Sequence, residues 1–165
     1  MNISIFGLGY VGTVCAACFT SARHTVVGVD INKDKVDGMN AGVAPIVEPG
    51  LSELFAEAHQ GKRLTATTSA ADAIRNTDVS LVCVGTPSQA NGRLDLTYME
   101  RVCEEIGAAL KTKTTPHLVV LRSTMLPGTT EDLLVPILEA HSGKRAGESF
   151  DVCYNPEFLR EGSSV

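Results

Sequence analysis

The sequence predicts an α/β domain of Rossmann type, with a doubly wound, mostly parallel six-stranded sheet. Short β-rich apolar runs alternate with helical stretches along all 165 residues, without an internal repeat or a low-complexity linker. A glycine-rich turn separates the first strand from the first helix. The last three strands read as apolar runs suited to a parallel sheet covered on both faces.

An uncharged run from Asn2 to Ala22 opens the chain. It lacks the basic n-region of a signal peptide, and three closely spaced glycines argue against a membrane span. It divides instead into a strand at Asn2–Phe6, a glycine turn and a buried helix at Tyr10–Ala22. That reading places the chain in the cytoplasm. Thr25–Asp30 follows as a strand ending on an acid, and Lys33–Met39 as a helix. Helix Leu51–Gln60 and the short strand Leu64–Thr67 come next, then helix Ala70–Arg75 and strand Val79–Val84. Leu96–Lys111 is the long helix before strand His117–Leu121. Helix Thr130–His141 and strand Asp151–Tyr154 complete the series. Right-handed crossovers then allow the sheet order 3-2-1-4-5-6. The chain stops soon after the sixth strand and reads as cut short.

Composition narrows the function classes. Hydrophobic residues make up 44 % and charged residues 20 %, enough to bury a core, which excludes disorder as the main state. Fourteen basic and nineteen acidic residues give a net charge of -5 with no basic block. Nucleic acid and anionic membranes are therefore not expected as partners of the surface as a whole. Five cysteines without framework spacing read as reduced thiols. The histidines (His24, His59, His117, His141) are scattered, and no metal site is expected.

The chemistry begins at Gly7-Leu8-Gly9-Tyr10-Val11-Gly12, between strand one and helix one. In this setting Gly7 makes the tight turn, Gly9 lets a pyrophosphate approach the backbone, and Gly12 packs helix on strand. The helix N-terminus offers unpaired N–H groups to the phosphates. Asp30 stands 18 residues after Gly12, where a carboxylate accepts hydrogen bonds from ribose hydroxyls and repels a 2′-phosphate. NAD is favoured over NADP, with a mononucleotide or flavin on the same fold as the alternative. Gly85-Thr86-Pro87 and Arg122-Ser123-Thr124 follow strands four and five, the sheet edge where open α/β sheets bind ligands. Either loop could equally be a turn with a helix cap.

With Val47-Glu48-Pro49-Gly50-Leu51, Val84-Gly85-Thr86-Pro87, Leu126-Pro127-Gly128-Thr129 and Asn155-Pro156-Glu157-Phe158-Leu159-Arg160-Glu161-Gly162, the chain resembles the nucleotide-sugar 6-dehydrogenases, the UDP-glucose and GDP-mannose dehydrogenases. Asn-Pro-Glu-Phe-Leu after the sixth strand is the most specific of these motifs. Asn91–Leu96 and Ser142–Gly147 look most like the GDP-mannose branch, with the UDP-glucose branch close behind. The resemblance implies that residues 1–165 are an NAD-binding domain, followed in the family by a helical dimerisation segment and a C-terminal domain. It implies a nucleotide-sugar substrate, GDP-mannose first, and a homodimer or higher oligomer. The implied reaction oxidises the sugar C6 alcohol to a carboxylate through a thioester, reducing two NAD in turn. The family's thiol lies in a Gly-Gly-x-Cys stretch that this sequence does not contain. A non-catalytic NAD-sensing module is the reading of a different class.

What the resemblance carries over is the amino-terminal half of the site. Tyr10 and Val11 would meet the pyrophosphate, with Gly7, Gly9 and Gly12 shaping its turn. Asp30 and Lys35 would contact the adenosine end, and Thr86 and Thr124 the nicotinamide side. Glu157 would activate the hydrolytic water, with Thr124 helping to hold it. Glu157, Phe158, Leu159 and Glu161 would contact the sugar nucleotide. Taken alone, Lys35 reads as a solvated helix-face lysine and Glu48 as the residue before a helix start. Cys153 reads as strand packing, and Cys15 and Cys18 as buried thiols in a helix. Arg23 stands at a helix exit where relatives commonly have glycine, at a cost of roughly 1 kcal/mol. Asn155–Gly162, near the chain end, is expected to be poorly supported.

Overall fold

A computed structural model describes residues 1–165. The elements run β1 (Asn2–Phe6), α1 (Tyr10–Ser21), β2 (Thr25–Val29), α2 (Lys33–Asn40), α3 (Leu51–Gln60), β3 (Leu64–Thr67) and α4 (Ala70–Asn76). They continue through β4 (Val79–Val82), α5 (Thr97–Leu110), β5 (Leu118–Leu121), a π-helical turn (Thr130–Leu134), α6 (Val135–Ser142) and β6 (Asp151–Tyr154). All six strands form one sheet in the order β3-β2-β1-β4-β5-β6, and every pairing is parallel. The predicted order is the observed one.

Strand alternation splits the core into two layers. Ile3, Ile5, Val26, Leu64 and Leu81 face α1–α3, where they meet Ala16, Met39 and Phe55. Phe6, Val29, Val82, Val119 and Leu121 face α4–α6, where they meet Ile74, Met99, Ile106 and Leu138. No helix is long and apolar enough to cross a membrane.

Four of the differences from the predicted elements bear on the sheet and its edge. Strand β2 stops at Val29 because the Asp30 carboxylate folds back to accept from Leu8 N at 2.8 Å and Asn32 N at 2.9 Å. Strand β4 stops at Val82, although Cys83 N still donates to Phe6 O at 2.7 Å. The predicted helix Thr130–His141 divides into the π turn and α6, with Pro136 at the start of α6. Proline has no N–H for the carbonyl four residues back and crowds it, and a wider turn relieves that conflict. Strand β6 is an open edge: Asp151, Cys153 and Tyr154 are exposed, so the two-sided cover expected of the last strands fails here.

Arg23 has a φ of +66°, the left-handed geometry expected at that exit. Arg23 N donates to Thr20 O and His24 N to Phe19 O, both at 3.0 Å, which closes α1 as a Schellman motif. Arg23→Gly should therefore raise the stability by about 1 kcal/mol in denaturant titration.

A row of buried polar side chains crosses the centre of the sheet on the α4–α6 face. Ser4 Oγ and Ser80 Oγ lie 2.6 Å apart, Ser80 Oγ meets His117 Nε2 at 2.8 Å, and Thr77 Oγ1 donates to Ser4 Oγ at 3.1 Å. His117 Nδ1 faces Thr77 O at 3.2 Å. Burial, aided by the Lys113 charge, pushes the imidazole pKa down to about 4. Below its ordinary value of 6.5, the unfolded chain takes up a proton that the folded chain refuses. The stability from neutral His117 is thus complete above that value and is lost as pH falls towards 4. The loss amounts to at most about 3 kcal/mol. Denaturant titrations across this range should show wild type losing more stability than His117→Gln; parallel pH profiles would contradict the assignment.

Candidate functional site

The first βα turn is built by close approach. A Cβ on Gly12 would lie 1.9 Å from Gly7 O and 3.2 Å from Ile5 Cγ2, so only glycine lets α1 sit this close to β1. Gly7 has a φ of +94°, and a Cβ on it would meet Cys83 O at 3.0 Å. Gly9 is different: a Cβ there would meet nothing within 4 Å, so this face of the turn is open. No side chain caps α1, which leaves the N–H groups of Tyr10 and Val11 facing that opening. Open backbone and uncapped N–H groups form a cradle for a diphosphate.

Asp30 organises the turn at the end of β2. Its two oxygens hold Leu8 N and Asn32 N, and Lys35 Nζ stands 3.6 Å from Oδ2. The carboxylate keeps further lone pairs for ribose hydroxyls. A hollow of about 580 Å³ runs past Gly7, Gly9, Asp30, Lys35, Gly85 and Thr86. A second, of about 210 Å³, continues between Ile31, Tyr98 and Arg101. Together they suit a dinucleotide, and the residues present fit NAD. Ile31 is 89 % exposed at the lip of this cleft. A larger hollow of about 720 Å³ runs along α4 and α5 past Ala71, Arg75 and Thr112, clear of the glycine turn.

The two polar loops do converge. Thr86 Oγ1 donates to Thr124 O at 2.8 Å, and Ser123 Oγ donates to Val84 O at 2.7 Å. Arg122 Nη1 donates to Asn155 Oδ1 at 2.6 Å, while its buried Nε has no partner. The charges of Arg122 and Glu157 both act on the thiols of Cys15 and Cys83. The neighbouring Cys15 thiol and burial push Cys83 up, whereas Cys15 is drawn down chiefly by its neighbour Cys83. Cys18 is exposed and not a buried thiol, and Cys153 lies exposed on the edge strand.

Beyond β6 the chain folds back over this edge. Glu157 Oε1 accepts from Leu159 N, which occupies that amide and leaves Oε2 free. Phe158 is 88 % exposed, and Glu161 is exposed. The segment is better anchored than its place near the chain end suggested. Glu48, buried, accepts from Gly162 N and Ser164 N, both at 2.9 Å. The Ser164 amide first, then the Gly162 amide and the Tyr10 hydroxyl, hold the Glu48 carboxyl below the usual carboxylate range.

Sequence reasoning missed Glu48, Arg122, Tyr98 and Arg101. Arg122 lay inside a quoted motif, and an acid before Pro-Gly gave a weak signal for Glu48. Tyr98 and Arg101 gave none, because helical spacing does not say which side of α5 meets the cleft.

The whole chain, residues 1–165, matches the model of the UDP-glucose/GDP-mannose dehydrogenase family, NAD binding domain. It is 55 % identical to a GDP-mannose 6-dehydrogenase of Azotobacter vinelandii over 165 residues, 100 % of this chain and 38 % of the relative. A UDP-glucose 6-dehydrogenase of Haloferax volcanii is 48 % identical with the same coverage. A ternary complex of GDP-mannose dehydrogenase from Pseudomonas aeruginosa superposes with a TM-score of 0.97 at 53 % identity, over 99 % of this chain and 38 % of that one. This chain thus spans 38 % of the length of these GDP-mannose relatives. The glycine cradle, the Asp30 carboxylate and the match along every residue lead to one conclusion: the chain belongs to the UDP-glucose/GDP-mannose dehydrogenase family, as its NAD-binding domain.

Proposed function

We propose that residues 1–165 are the NAD-binding half of an enzyme that oxidises GDP-mannose at C6 to GDP-mannuronate. The observation that carries this reading is identity across the whole chain. It is 53–56 % with GDP-mannose 6-dehydrogenases, against 48 % and 39 % with two UDP-glucose 6-dehydrogenases.

Each residue then has a physical task. The N–H groups at the start of α1 hold the diphosphate, and Gly9 leaves room for it. Asp30 accepts from the adenosine ribose, with Lys35 beside its carboxylate. Thr86 and Thr124, already tied to each other, flank the nicotinamide side. Two NAD molecules, bound in turn, would supply the hydride acceptors, one for each oxidation. Phe158, Leu159 and Glu161 border the sugar nucleotide; because Leu159 N is held by Glu157, its carbonyl is the group left to offer. One Glu157 oxygen is fixed by Leu159 N, and the other takes a proton from water. That water adds to the thioester carbonyl, the C–S bond breaks, and the thiol leaves with the carboxylate formed. The thiol itself belongs to none of the five cysteines here.

The test uses a chain extended to the full length of the relatives. GDP-mannose should yield two NADH per sugar, and UDP-glucose should be a far poorer substrate. Glu157→Gln should bind both ligands yet release product about 10²–10⁴-fold more slowly. Intact mass should then show an acylated protein in the variant. Wild-type turnover by Glu157→Gln would make the carboxylate structural, and preference for UDP-glucose would overturn the substrate assignment.

A further inference from the structure

Glu48 is a buried carboxylate that the cofactor site does not use. It sits in the Val47–Gly50 turn, where Leu51 N donates to Glu48 O at 3.2 Å and fully buried Leu51 anchors the start of α3. The turn is therefore a rigid support. From it the two carboxylate oxygens reach separate amides of the chain beyond β6. Oε2 takes Gly162 N, and Oε1 takes Ser164 N, across more than a hundred residues of sequence. A Cβ on Gly50 would lie 3.5 Å from Val165 Cγ1, so the same turn also packs against the end of that segment. The Tyr10 hydroxyl, from the first turn of α1, donates to Arg160 O at 3.3 Å. At the other end of the segment Arg122 holds Asn155.

We infer that Glu48 is a positioning residue: its carboxylate seats the Asn155–Ser164 segment, and so Glu157 and Glu161, against the diphosphate-binding turn. This rests on the reading of that segment as the substrate-facing loop, but the clamp is a separate claim. A carboxylate suits the task because it is all acceptor and has two oxygens for two amides that point the same way. The neutral isostere, glutamine, keeps only one of those two oxygens. Tyr10 extends the clamp to the helix whose N–H groups meet the cofactor, so loop and cofactor turn share one hydrogen-bonded junction.

Native-state amide exchange of the 165-residue chain tests the assignment without any nucleotide. Glu48→Ala should speed exchange of Gly162 and Ser164 by about tenfold while β1 amides keep their wild-type rates. Glu48→Gln retains one acceptor oxygen, so one of the two amides should stay protected and the other be released. That graded pattern also serves if the alanine variant does not fold. Unchanged exchange at both amides in Glu48→Ala, or equal acceleration in β1, would overturn the clamp. Failure of the extended chain to oxidise GDP-mannose would count against the substrate reading and leave this result standing.

Discussion

The Asp30 carboxylate is the interaction on which the site depends. One oxygen pins the turn after β1 through Leu8 N, and the other pins the turn after β2 through Asn32 N. Two loops from neighbouring strands are thereby set against each other before any ligand arrives. A hydrogen bond to an ionised group is stronger than a neutral one, which suits a residue that fixes two backbones. On the proposed reading, the same negative charge would also reject a 2′-phosphate.

Around that point the sheet edge is assembled by close contacts. Glycine at position 12 lets α1 approach β1, which brings the uncapped helix end over the strand ends. On the far side Thr86 joins the loop after β4 to the loop after β5 through Thr124 O. Glu48 and Arg122 hold the segment beyond β6 from opposite ends. Rigid strands position each loop, and hydrogen bonds between loops finish the cleft. Gly9 leaves one face of the first turn open.

Much of this was legible in the sequence, for a physical reason. Apolar strands alternating with helices leave few topologies, and the glycine fingerprint fixes the first turn. Arg23 was legible too, because a helix exit that wants a left-handed residue stays left-handed whatever occupies it. The misses depend on contacts between distant segments. Glu48 looked like a helix-start residue because its partners, Gly162 and Ser164, lie at the other end of the chain. Strand β6 looked like its neighbours, yet edge position follows from sheet order and not from four residues of sequence. The structural role of Asp30 was hidden in the same way: its position suggested a ribose acceptor, and only the fold shows its bonds to Leu8 and Asn32.

The most direct test is therefore Asp30→Asn, titrated with NAD and NADP by calorimetry while the Leu8 and Asn32 amides are followed by NMR. The wild-type chain should bind NAD and reject NADP. In the variant the amide keeps the size but loses the charge and one acceptor. NAD affinity should fall by about tenfold, the gap between NAD and NADP should narrow, and one of the two backbone amides should lose protection. Undiminished NAD affinity with NADP still rejected would contradict the central role given to this carboxylate.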